Sequence, residues 1–172
     1  MELNDIFDEN RNPTGRVHTR GTPWGPGEYG LVVCVWVYDG RGRLLLTRRA
    51  KGKSFCGTWE NSGGAAKAGE TSRAAIAREL FEETGIRAEE DEFELLLSER
   101  EHNIFYDHYC LRRRVRIRDI VLQPGETDGV MWASFGKTAW MAHTGRMCRV
   151  IARQFFRLEK QLRLRNMPKF SR

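Results

Sequence analysis

The 172-residue chain has no apolar stretch approaching the roughly 20 residues that a membrane-crossing helix needs, so no membrane partner is expected. It has no internal repeat and no low-complexity tract. Cysteine is sparse. Cys34, Cys56, Cys110 and Cys148 stand far apart, without the short spacings of metal-ligating cysteines. They read as reduced, intracellular thiols and not as a disulfide framework. The opening MELNDIFDENR is acidic and polar and lacks the features of a secretory signal, so a cytoplasmic protein is expected.

What is present suits one domain with a real core, spanning 1–172, with 40% hydrophobic and 30% charged residues. The net charge of +6 fits an anionic substrate and also nucleic acid. Much of it gathers in Arg112, Arg113, Arg114, Arg116, Arg118 and the C-terminal segment.

In chain order, residues 3–19 read as a β-hairpin around the turn-rich DENRNPTG, followed by the loop GTPWGPGEYG. His18 near that loop reads as structural or solvated. Tyr29 to Tyr38 is a buried strand, and Arg43 to Thr47 a second one ending in Arg48-Arg49. Either arginine could meet a phosphate, or both are a solvated strand end. Lys51 to Ser62 is a loop in which Trp59 either stacks on a base or seals the core. After Gly85 come a polar link, a strand over Glu92 to Leu97, and a long half-buried strand over Ile104 to Arg118. The second face of that strand is basic and reads as solvated. A turn at Gln123 to Glu126, a strand over Val130 to Phe135 and a short helix over Gly136 to Ala142 follow. A helix from Thr144 to Arg165 closes the chain, packing Met147, Ile151, Phe155, Leu158 and Leu162. Its basic far side reads as a solvated face, not a nucleic-acid footprint.

The stretch Gly64 to Ile86 carries the chemistry. Thr71 or Ser72 can cap a helix there, and Thr84-Gly85 stops it. Ile76, Ala77, Leu80 and Phe81 form the expected packing face. Glu79, Glu82 and Glu83 share an arc of roughly 100° on the other side. Such an arc is either a solvated acidic face or a seat for a hard cation, Mg²⁺ first and Mn²⁺ next.

The spacing matches G-x5-E-x7-R-E-U-x-E-E-x-G-U, with U aliphatic, at every fixed position: Gly64, Glu70, Arg78, Glu79, Leu80, Glu82, Glu83, Gly85 and Ile86. The chain therefore resembles the Nudix superfamily. The resemblance implies an α/β fold, a mixed sheet in an α/β/α sandwich, here with an N-terminal hairpin over 1–28, a core over 29–143 and a C-terminal helix and tail over 144–172. It implies metal-dependent hydrolysis of a phosphoanhydride, with Mg²⁺ or Mn²⁺ held by Glu82, Glu83, Glu79 and the Gly63 carbonyl. Arg78 would orient carboxylates, Glu79 serve as further ligand or base, and Glu70 stand behind them in a supporting role. Arg48, Arg49 and Trp59 remain the weaker substrate-binding candidates. Some members add a glutamate six residues before a tryptophan. Glu126 and Trp132 have that spacing, so Glu126 is a second candidate ligand or base, with Asp128 behind it.

The hairpin and the segment GTWENSGG look like the isopentenyl-diphosphate isomerase branch of the family. That reaction needs a cysteine in the loop before the box, where this chain has Trp59-Glu60-Asn61-Ser62-Gly63-Gly64. Hydrolysis is therefore the expectation. The FPGG entry of coenzyme A hydrolases and the proline of many ADP-ribose hydrolases are absent. Free nucleoside di- or triphosphates are the remaining default, with an RNA 5′-end as runner-up.

Overall fold

The computed structural model of the chain describes residues 2–166. Its centre is one strand, β3 (Gly30–Tyr38), whose alternate residues serve two different cores. Leu31, Val33, Val35 and Val37 face one side and Trp36 the other, because successive side chains of a strand point to opposite faces. With both faces covered the strand needs no polar side, which is why it reads as an unbroken apolar run.

The remaining strands are β1 (Leu3–Phe7), β2 (Pro13–Thr19), β4 (Arg43–Arg49), β5 (Trp59–Glu60), β6 (Ser62–Ala65), β7 (Glu94–Glu101), β8 (Ile104–Arg112) and β9 (Thr127–Ser134). The main sheet runs β5-β4-β3-β8-β7, with β6 also on β3 and β9 on β4. The β3–β8 pair is parallel and the other pairs are antiparallel, so the sheet is mixed. Among the described residues three α-helices complete it: α1 (Ser72–Thr84), α2 (Phe135–His143) and α3 (Arg149–Asn166). The core holding Ile76 and Leu80 of α1 lies on one face, and the core holding Met141 of α2 and Phe155, Leu158 and Leu162 of α3 on the other. This is the expected α/β/α sandwich.

Several sequence expectations are corrected. The loop before the box contains β5. The strand expected over Ile104 to Arg118 ends at Arg112, and a short 3-10 turn at Ile117–Asp119 follows. The second face of β8 is buried, not solvated: His108 and Cys110 lie under α3's layer. The closing helix begins at Arg149, later than Thr144. Its basic side is answered by the edge strand, since Arg153, Arg157 and Arg165 pair with Glu101, Glu99 and Glu94 of β7. His18 is buried and stacks on Trp24 at 3.7 Å, a structural role.

The N-terminal hairpin braces the loop that leads into α1. Asn4 donates to the Ala66 carbonyl at 2.7 Å, and the amides of Ala68 and Gly69 reach Leu3 and Asp5, each at 2.8 Å. The hairpin is anchored in turn by Asp107 of β8, which is 2% exposed. Its carboxylate accepts from Arg11 at 2.8 Å, from Ser72 at the start of α1 and from Ser98 of β7. Burial alone would raise the Asp107 acid, but these donors outweigh it and hold it below its ordinary value near 3.8. Its stabilising contribution is therefore complete above about that value and fades as pH falls through the lower folded value. Asp107→Asn should cost about 1–3 kcal/mol in urea unfolding at pH 7. The loss should shrink as pH drops towards 3, and hydrogen exchange should quicken first in β1 and β2. An unchanged hairpin exchange rate would show that this anchor is unimportant.

Candidate active site

The start and end of α1 follow the expected local chemistry. The Thr71 hydroxyl caps the first turn by accepting from Ala74 N, and Gly85 closes the helix at φ 72, a conformation glycine adopts without a Cβ penalty. The packing face differs from the sequence reading. Phe81 is exposed and lies under the Arg87 guanidinium, 4.3 Å from the ring centre. Glu83 is instead almost wholly buried. The reason is helical phase: Glu83 lies seven residues, close to two full turns, beyond Ile76, so it shares the inner side.

Arg78 organises the carboxylates. Its Nε and Nη2 grip both oxygens of Glu70 at 2.6 and 2.9 Å. Its Nη1 reaches Glu79 at 2.8 Å and Glu82 at 3.1 Å, and Nη2 also donates to the Ala65 carbonyl at 3.2 Å. These carboxylates, Glu70 foremost, hold the guanidinium charge firmly, and Glu70 is pulled below the usual carboxylate range in return. Glu79 moves the other way, raised by burial more than Arg78 lowers it. Lys67 stands 3.4 Å from Glu82.

The two glycines that open the box differ in what they permit. A Cβ on Gly64 would stand 2.5 Å from the Glu79 carboxylate, and one on Gly63 would stand 2.3 Å from the Val33 carbonyl oxygen. The backbone of β3 cannot give way, so glycine is demanded at Gly63, whereas a side chain at Gly64 would displace the Glu79 carboxylate.

Among the described residues, Glu83 Oε2 has no hydrogen-bond partner. Burial, reinforced by the nearby charges of Glu60 and Glu79, pushes its acid up to about 8, which the Ser62 hydroxyl and the Gly63 amide only partly offset. A buried carboxylate oxygen without a donor is a fit for a cation, and the neighbouring oxygens are of the hard type that Mg²⁺ or Mn²⁺ takes. Among the described residues no three acidic, His or Cys side chains already converge on one point. Glu79 and Glu82 point to Arg78, so holding an ion requires them to turn. Glu82, the more exposed of the two, is freer to do so.

These groups line a cleft of about 300 Å³ together with Gly63, Lys67, Arg20, Arg49, Lys53, Glu60 and Glu126. The structure divides the sequence candidates. Arg49 lines the cleft and grips both oxygens of Glu60 at 2.8 and 2.7 Å. Arg48 does not line it: it pairs with Asp128 at 2.6 Å and lies over Trp59. Trp59 packs on the second core, where Arg146 and Cys148 bond its backbone, so it seals the core. Glu126 also lines the cleft, paired with Lys53. Sequence reasoning gave no role to Glu60 or Lys53. They stand outside the box motif, and only the pairing of β4 with β5 brings Glu60 in.

A carboxylate-bearing helix that follows a glycine-containing strand of a mixed sheet is the arrangement that the Gly64 to Ile86 spacing led one to expect. The NUDIX domain family model matches residues 28–149. An uncharacterized Nudix hydrolase of Listeria monocytogenes is 35% identical over 128 residues, 73% of this chain and 76% of that one. An isopentenyl-diphosphate Delta-isomerase of Streptomyces griseus is 37% identical over 84 residues, 48% of this chain and 43% of that one. In fold, a crystal structure from Deinococcus radiodurans superposes with a TM-score of 0.72, covering 89% of this chain and 98% of that one at 23% identity. The chain belongs to the Nudix family, as a hydrolase acting on pyrophosphate bonds.

The raised Glu83 acid has a measurable consequence in the metal-free protein. Because the fold favours the protonated form, the contribution of Glu83 to stability is most favourable below about 4.5 and declines as pH rises to about 8. Glu83→Gln should therefore melt higher than the parent at pH 8.5, with the gap closing near pH 4.5. Saturating Mg²⁺ should raise the parent's melting point more than the variant's. Parallel melting curves at all pH values would remove Glu83 as an ionising buried group.

Proposed function

We propose that the chain hydrolyses a phosphoanhydride bond of a nucleoside di- or triphosphate, using a divalent cation held by Glu79, Glu82, Glu83 and the Gly63 carbonyl. The observation that carries this reading is the unpartnered oxygen of Glu83, which lines a cleft together with Arg20, Arg49, Lys53 and Lys67. Nudix hydrolases generally need Mg²⁺ or Mn²⁺. A bound cation of that kind neutralises phosphate oxygens and makes water more acidic. The chain's own residues do the rest. Arg78 sets the carboxylates at fixed spacing, with Glu70 holding Arg78. Lys53, Lys67 and Arg49 attract the substrate's phosphates. Glu126, which lines the cleft and is not among Arg78's partners, takes the proton of the attacking water. That assignment favours Glu126 over Glu79, because Glu79 is engaged as a ligand of the cation.

The isomerase reading draws on the Streptomyces relative, yet no cysteine stands between Trp59 and Gly64. Cys34 is buried and its thiol pushed far above its ordinary value by burial, which leaves it a poor proton carrier.

Purified protein should release phosphate or pyrophosphate from a nucleotide panel only with Mg²⁺ or Mn²⁺. Glu83→Gln should lose at least about 100-fold in kcat/KM, and Glu126→Gln about 10²–10⁴-fold, mostly in kcat. Activity should rise with pH, because the cation must displace the Glu83 proton, and its midpoint should fall as Mg²⁺ is raised. Conversion of isopentenyl diphosphate without hydrolysis of any nucleotide would overturn the assignment.

A further inference from the structure

Next to the acidic cleft, and sharing Arg49, Glu60, Gly63 and Gly64 with it, lies a second pocket of about 230 Å³. Its walls differ from those of the cleft. Val32, Cys34, Tyr106 and Ile151 make it largely apolar, and Phe55 stands exposed among its lining residues. Two amide side chains also line it: Asn61, between β5 and β6, and Gln154, on the inner side of α3. They are only 3% and 4% exposed. Among the described residues, none of their four amide atoms has a hydrogen-bond partner, so they bond neither to each other nor to the backbone around them. A buried amide left unpaired is costly, and two beside one pocket call for a ligand that pairs with them.

An amide offers one acceptor and two donors side by side. Its natural complement is a flat group with an acceptor beside a donor, as on a nucleobase edge, which Asn and Gln bind through two hydrogen bonds. A prenyl chain has no such edge and would leave all four atoms unpaired. The pocket also opens where the ligand's phosphates must lie, at Gly63, Gly64 and Arg49. We propose that this pocket receives the nucleobase of the substrate, stacked against Tyr106, and that Asn61 and Gln154 read its hydrogen-bonding edge. The proposal deepens the hydrolase reading and rests on it for the position of the phosphates.

The test uses the near-isosteric variants Gln154→Met and Asn61→Leu in the full chain. The probes are the common nucleoside triphosphates and inorganic tripolyphosphate, which has no base. In the parent, kcat/KM for the preferred nucleotide should exceed that for tripolyphosphate. Each variant should lower this ratio about tenfold, through KM, and flatten the preference among bases. Both variants should melt at or above the parent's temperature, because each removes an unpaired buried amide. Saturation-transfer NMR with free nucleosides on metal-free protein reads the pocket apart from catalysis: binding in the parent should vanish in both variants. A parent that cleaves tripolyphosphate as well as any nucleotide would overturn the proposal and leave the hydrolase reading intact. So would variants that melt lower with an unchanged ratio, because the amides would then be paired through buried water. Nucleoside binding without cleavage of any phosphoanhydride would sink the hydrolase reading and keep the pocket.

Discussion

The site depends on one guanidinium. Arg78 holds Glu70 through two hydrogen bonds, and Glu79 and Glu82 through one each, all from the first three turns of a single helix and the loop before it. Without a cation among them, carboxylates three and four residues apart on a helix repel. With one, their separation is set to within the reach of its planar fork. The fork's fifth contact, to the Ala65 carbonyl, ties the helix to β6 and so to the centre of the sheet. Position along α1, position on β6 and charge balance in the cleft therefore share one side chain.

Around this clamp the fold works by support from a distance. The N-terminal hairpin never enters the arrangement of acids on α1, yet three hydrogen bonds from β1 hold the loop that feeds that helix. Asp107 then binds hairpin, helix start and edge strand in one buried network. Such a network rigidifies because every member is satisfied. The contrast with the second pocket is instructive. There the amides of Asn61 and Gln154 are buried and unsatisfied, which is the pattern expected of groups that meet a ligand rather than groups that hold a fold.

Local elements were legible where one residue type has one physical use. The Thr71 cap, the Gly85 stop, the apolar β3 and the stripe on α3 all follow from short-range rules, and all are found. Elements failed where two environments give the same pattern. The alternation beyond Arg112 continues in sequence without a neighbouring strand to pair with, so the strand stops. The even-numbered residues of β8 looked solvated because they are polar or basic, but α3 covers His108 and Cys110. Within α1 the assignment of Phe81 and Glu83 was reversed. A helix read by residue type puts phenylalanine inside, whereas helical phase puts Glu83 beside Ile76.

The sequence by itself determined the chemistry of α1: which side chains carry negative charge, their spacing, and the glycines that let them sit close to the sheet. Those are properties of a short contiguous segment, and contiguous segments obey local geometry. Only the tertiary structure decided that Arg49 and not Arg48 enters the cleft, because opposite faces of β4 take consecutive residues. It alone brought Glu60 and Lys53 to the acidic helix, and Asn61 and Gln154, more than ninety positions apart in the chain, to one pocket. Contacts between distant segments depend on how strands pair and layers stack, and no local pattern encodes that.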